Sequence, residues 1–174
     1  MIVLSVTALD PGCLAAQSNA VSGRAVGEMT PSFPVLNVTG PHKGKLVCYV
    51  CESKGAPVVF AFLPQTGEET ASLVIKLNEL AQKKDLRIVA VIMAGPGSQP
   101  WLEKFADENG ITIPLTILRN GKDDIAVNLY KLNPTVSNTI LVSAKHKVTA
   151  NLVNVNAQTF GMLTDAVSRV LSQK

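Results

Sequence analysis

The sequence predicts an α/β protein in which a mixed central sheet carries helices on both faces and an N-terminal β-hairpin. Two continuous apolar runs, residues 57–63 and 86–93, have strand length and the composition of strands buried on both sides. Between and after them, apolar residues recur at helical spacing. Strand and helix signals then alternate to the end of the chain, the order of an α/β domain. With 174 residues and 47% apolar composition, the chain suits one domain around a single core.

In chain order, residues 2–9 form a short apolar run, and Asp10-Pro11-Gly12 and small residues through Ala20 follow. This is the outline of a secretory signal without its basic start, and Ser18-Asn19-Ala20 supplies a small-x-small cleavage site. The expected organisation is a signal peptide over 1–20, a flexible lead-in over 21–31 and a folded domain over 32–174. A buried N-terminal strand is the alternative for the first segment. Export to a periplasmic or extracellular space would remove Cys13 and leave an even cysteine pair, whereas a cytoplasmic chain would keep all three cysteines.

Residues 35–38 read as a short strand, Gly40-Pro41-His42-Lys43-Gly44 as a turn, and 46–50 as the returning strand of a hairpin. After strand 57–63, Thr66-Gly67-Glu68-Glu69 matches a capping box, with the Thr66 hydroxyl accepting from the Glu69 amide. Leu73, Val74, Leu77, Leu80 and Ala81 then share one helix face, and Lys83-Lys84 suit its C-terminal dipole. Beyond strand 86–93, Ser98 is placed to cap a helix bearing Trp101, Leu102 and Phe105, and Gly110 to end it. Residues 113–118 give a strand and Asn120-Gly121 a turn, after which Ile125, Leu129 and Leu132 recur at the spacing of a short helix. Residues 139–143 and 148–155 form a hairpin around Lys145-His146. Asn156 caps a last helix striped by Phe160, Leu163, Val167, Val170 and Leu171.

The net charge of +3 is spread over separate segments, at Lys43-Lys45, Lys83-Lys84 and Lys145-Lys147, without interleaved aromatics. A nucleic-acid groove is therefore not expected. No run approaches the roughly 20 apolar residues that span a bilayer.

Phe60-Ala61-Phe62-Leu63-Pro64, Trp101-Leu102-Glu103-Lys104-Phe105-Ala106 and Ile113-Pro114-Leu115 resemble the thioredoxin superfamily, and within it the redoxin branch of peroxiredoxin and alkyl hydroperoxide reductase relatives. The likeness covers roughly residues 32–172. It implies a thioredoxin-like fold with its reactive cysteine in the first turn of the helix after strand 57–63. That stretch, residues 65–71, contains no cysteine. The resemblance also implies a cis proline before the late strand. Alignment on Thr139-Ile140-Leu141 puts Ser137 there, with Pro134 three residues earlier.

The cysteines lie instead at Cys48-Tyr49-Val50-Cys51, ahead of the first long strand. A CxxC beside a βαβ pattern points to reversible disulfide chemistry, so Cys48 and Cys51 are the candidate catalytic residues. By the order of the resembled family Cys48 would attack and Cys51 resolve. Positions three apart on an extended strand face opposite ways, so the sulfurs meet only if the chain bends between them. Lys54 would stabilise a thiolate and Glu52 oppose one. Tyr49 is placed to cover the pair.

Three readings compete: a thiol-disulfide oxidoreductase or redox sensor acting on a protein or small thiol/disulfide partner; a redox-inactive binding or scaffold module with a structural pair; and a metal site. Covalent haem needs a histidine where Glu52 stands. Zinc needs two ligands beyond the pair, with His42 the nearby candidate unless two chains each contribute a pair, and copper could draw on His42. No cofactor or metal is assigned. His146, in a hairpin turn, reads as an ordinary exposed polar residue.

Overall fold

The computed structural model describes residues 20–172. The expected signal segment, Ala20 apart, lies outside the described residues. Among the described residues seven strands form one mixed sheet in the order β2-β1-β5-β4-β3-β6-β7. These are β1 (Val35–Asn37), β2 (Leu46–Val47), β3 (Val58–Leu63), β4 (Arg87–Ile92), β5 (Leu115–Ile117), β6 (Thr139–Ala144) and β7 (Lys147–Val153). Strands β3, β4 and β5 are parallel. The hairpins β1–β2 and β6–β7 join antiparallel at the two sides.

The alternation of β3 explains how both faces are filled. All six of its residues are buried. Val59, Ala61 and Leu63 enter one apolar cluster, while Val58, Phe60 and Phe62 enter the other, as a period of two requires. The crossovers β3-α2-β4 and β4-α3-β5 step in the same direction across the sheet. Two crossovers of one hand therefore put α2 (Glu68–Lys84) and α3 (Gln99–Asn109) on one face. The C-terminal helix α5 (Phe160–Leu171) joins them there, through Leu163, Ala166 and Val167. Among the described residues the opposite face holds α1 (Tyr49–Ser53), α4 (Ile125–Leu129) and the segment before β1.

That segment, residues 21–34, includes the stretch expected as a lead-in over 21–31. It is a strap tied across the second face. The Ser22 hydroxyl meets that of Thr139 at 2.6 Å and accepts from the Asn133 amide at 2.9 Å. Asn151 donates to the Ser22 and Arg24 carbonyls. Gly27 and Val148 pair through the backbone, and Met29 bridges to Lys147, so the strap also covers part of the outer edge of β7. Further along, the Thr30 and Ser143 hydroxyls meet at 2.7 Å, and the buried Tyr130 hydroxyl donates to the Pro31 carbonyl at 2.6 Å. Phe33 then sinks among Phe60, Phe62 and Tyr130, with ring centroids 4.7 to 5.9 Å away. Polar tethers and one aromatic anchor hold a stretch that has no periodicity of its own.

Other local expectations change in detail. The capping box does not form: Gly67, at φ 139°, is the cap residue of α2, and no side chain bonds its first turn. The Thr70 hydroxyl instead donates to the Gln65 carbonyl, closing the loop before the helix. Ser98 stands at the start of α3, but its hydroxyl donates to Gly95 within a preceding 3-10 turn. Gly110 ends α3 in the left-handed conformation as expected. Helix α4 is capped by Asp124, and its buried side is Ala126, Val127 and Tyr130, while Ile125 is 74% exposed. Asn156 caps the turn before α5, accepting from Gln158 and Thr159.

Candidate functional site

Cys48 and Cys51 are joined as a disulfide, with their Cα atoms 5.3 Å apart. The returning strand of the N-terminal hairpin is shorter than 46–50. It stops at Val47, and Tyr49 begins α1. This supplies the bend that an extended CxxC lacks. Cys48 is the cap residue of α1, and its Sγ accepts from the Cys51 backbone N–H at 3.2 Å. Lys54, at φ 47°, ends the helix after five residues. The two sulfurs differ in surroundings: Cys48 is half-buried, packed against the second apolar cluster, and Cys51 is exposed. Cys51 Sγ lies 3.5 Å from the Ser32 hydroxyl of the strap.

Tyr49 stands between the two cysteines in the chain. It is buried, and its hydroxyl donates to Asn37 Oδ1 on β1, which fixes α1 to the sheet. Burial pushes its phenol up to about 12. Glu52, the residue expected to oppose a thiolate, is engaged elsewhere. Its carboxylate lies 3.5 Å from Arg87 and 3.5 Å from His42. Lys54 ends the same short helix.

The Glu52–Arg87 contact also fixes where α1 ends, because Arg87 opens β4. Helix α1 descends to the N-terminal ends of the parallel strands. A groove of about 650 Å³ starts there at Glu52 and Ser53 and runs past Arg87 to Gln82, Thr112 and Pro114. His146 sits at the same pole. Its turn packs on the loop after α1, where Lys145 donates to the Gly55 carbonyl at 2.7 Å and an added Cβ on Gly55 would lie 3.5 Å from His146 Nε2.

The place implied by the resemblance is at the other pole, past the far end of β3. Residues 64–70 and 134–137 line a cleft of about 440 Å³ there. It holds no cysteine, and the exposed Glu68 and Glu69 make it acidic. Ser137 is held by its amide donating to Asn154 Oδ1 at 2.9 Å, and no peptide bond among the described residues is cis. Six residues of β3, about 20 Å of strand, separate the ends of the elements that frame this cleft from those that follow the CxxC. Among the described residues no three His, Cys, Asp or Glu side chains converge as metal ligands would, and His42 faces Glu52. Sequence reasoning found the two cysteines but missed Ser32, which lies 19 residues upstream with no motif to mark it.

Three solved structures show what this arrangement is similar to. A candidate protein disulfide isomerase from Bacteroides thetaiotaomicron superposes with a TM-score of 0.68 at 18% identity, over 88% of this chain and 95% of that one. The thioredoxin domain of a thiol-disulfide oxidoreductase from Bacteroides vulgatus gives 0.62 at 16%, over 85% and 99%. Peroxiredoxin Q from Xanthomonas campestris gives 0.58 at 16%, over 81% and 90%. The fold is thus the thioredoxin-like fold that thiol-disulfide oxidoreductases and peroxiredoxin-like proteins share. No family model matches the sequence. No curated protein matches it either.

Proposed function

We propose that this chain is a thiol-disulfide redox protein whose working pair has moved from the helix after the first core strand to the short helix before it. The observation that carries this reading is the Cys48–Cys51 disulfide at the start of α1, with one sulfur exposed and the other bonded by a backbone amide. Exchange proceeds by attack of a thiolate on an accessible sulfur, and the better-stabilised thiolate leaves faster. Cys51 is the accessible sulfur. Cys48, half-buried and receiving the Cys51 N–H, is the leaving group. This order reverses the one taken from the resembled family. The partner is a protein or small molecule bearing a thiol or disulfide. Export belongs to the same reading, because a standing disulfide suits an oxidising compartment. No helix among the described residues is long and apolar enough to cross a membrane.

A second reading has one observation in its favour. A disulfide across a single capped turn also works as a staple, holding α1 in place without exchange. Incubating the reduced protein with oxidised glutathione separates the two. The redox reading expects the disulfide to form through a mixed disulfide, and Cys48→Ala to trap glutathione on Cys51 while Cys51→Ala traps little. Glutathione collecting on residue 48 alone, or no reaction, would contradict it.

A further inference from the structure

We infer that Ser32, carried by the strap, is a catalytic residue of this site: its hydroxyl donates to the Cys51 sulfur and stabilises the Cys51 thiolate in the reduced protein. The inference rests on the redox reading above and adds a residue to it.

The contact is 3.5 Å between Ser32 Oγ and Cys51 Sγ. A disulfide sulfur carries no hydrogen, so the hydroxyl is the donor. The side chain of Ser32 is exposed, yet its backbone is held on both sides. Immediately before it, the Pro31 carbonyl accepts from Tyr130 at 2.6 Å. Immediately after it, Phe33 is 3% exposed and locked among three aromatic rings. Pro31 and Pro34 further restrict the backbone of this four-residue stretch. The hydroxyl is therefore presented to the sulfur from a rigid mount, while the sulfur stays open to a partner.

The two sulfurs then have separate donors, the Cys51 amide for Cys48 and the Ser32 hydroxyl for Cys51. In the reduced protein the Cys51 thiolate attacks a partner disulfide. The Cys51–partner S–S bond forms as the partner's own S–S bond breaks, and the first partner sulfur leaves as a thiolate. Cys48, deprotonated, then attacks Cys51 Sγ and releases the second partner thiolate. The protein ends oxidised by two electrons, the partner reduced by two, and the protons of both cysteines end on the two partner sulfurs. A hydrogen bond to the charged form of Cys51 raises its thiolate fraction at neutral pH and so speeds the first step.

The test is the rate at which the reduced full chain forms the 48–51 disulfide with oxidised glutathione, followed from pH 5 to 10 by mass spectrometry of the peptide that holds both cysteines. Ser32→Ala is expected to move the midpoint of the profile upward by about half a unit to one unit. Well below the midpoint, that is a roughly three- to tenfold slower reaction. Ser32→Thr, which keeps the hydroxyl, is expected to restore the profile. Because the Ser32 side chain is exposed, unchanged thermal unfolding shows that the variant is folded. A Ser32→Ala profile that overlays an active wild type overturns the role of Ser32 and leaves the redox reading standing. A wild type that does not react overturns the redox reading itself, and this inference with it.

Discussion

Replacing Phe33 with alanine tests whether the strap is part of the core. Its ring is 3% exposed and contacts Phe60, Phe62 and Tyr130 at centroid distances of 5.7, 5.9 and 4.7 Å. Truncating a buried phenylalanine costs about 3–5 kcal/mol, the lost transfer energy plus the cavity that remains. The upper part of that range applies here, because the rings around the gap belong to the buried strand β3 and the end of α4, which cannot collapse into it. The strap is also the element that carries Ser32, so the same change loosens the donor beside Cys51. For a chain of this size each kcal/mol moves the melting temperature by about 2–4 °C, which gives a fall of roughly 6–20 °C. Urea unfolding of wild type and Phe33→Ala, compared at equal slope, gives the free energy directly. A loss below about 1 kcal/mol would mean that residues 20–34 rest on the domain without completing its core.

Reducing the disulfide removes a cross-link across very few residues, so chain entropy predicts a loss of only about 2 kcal/mol, read as the shift of the urea midpoint with and without reductant. A much larger loss would mark the pair as a staple. Gly23→Ala should destabilise by more than about 1 kcal/mol, because a Cβ there meets Thr139 Cγ2 at 2.8 Å and Asn151 Nδ2 at 2.9 Å at φ +86°. Gly27→Ala has nothing within 4 Å and carries only the backbone strain of φ +90°, so thermal melts should rank Gly23→Ala as clearly worse. Tyr49 keeps its proton up to about 12 in the folded protein, while the unfolded phenol loses it near 10. Stability therefore falls as pH rises from about 10 to about 12, and Tyr49→Phe should flatten that alkaline limb in pH-dependent unfolding. At the acid end, hydrogen bonding from Lys131 lowers the Glu28 carboxyl, so its contribution is present above about pH 4 and lost as pH falls through the lowered value. Glu28→Gln should lessen the acid sensitivity of the strap.

The elements legible in the sequence were those whose signal is local. The β3 and β4 runs, the apolar face of α2, the Gly110 stop and the Lys145-His146 turn depend on periodicity or on left-handed backbone at a few positions. The strap was not legible. Ser22 meets Thr139 across 117 positions and Thr30 meets Ser143 across 113, so its order comes from long-range hydrogen bonds that a window of sequence does not contain. The start of helix α1 reads as strand in the sequence because Val47, Cys48, Tyr49 and Val50 favour extended structure, and the Cys48 cap and the disulfide override that preference within one turn. In α4 the expected stripe began one residue early. Asp124 was an available cap signal, and counting from it puts Ala126, Val127 and Tyr130 inward. The site was half legible: spacing marked the two cysteines, but neither Ser32 nor the ion pairing of Glu52 with Arg87 and His42 follows from residue order.

The reduction potential of the Cys48–Cys51 pair separates a working exchange site from a static cross-link. Thiols at positions 48 and 51 would be counted by mass spectrometry across a graded redox buffer, with Cys13 scored separately. A working pair gives a reversible two-electron transition between about −120 and −270 mV, the range of working oxidoreductases. A pair that forms no disulfide under oxidising conditions, or one that stays oxidised below about −300 mV, would contradict the redox reading.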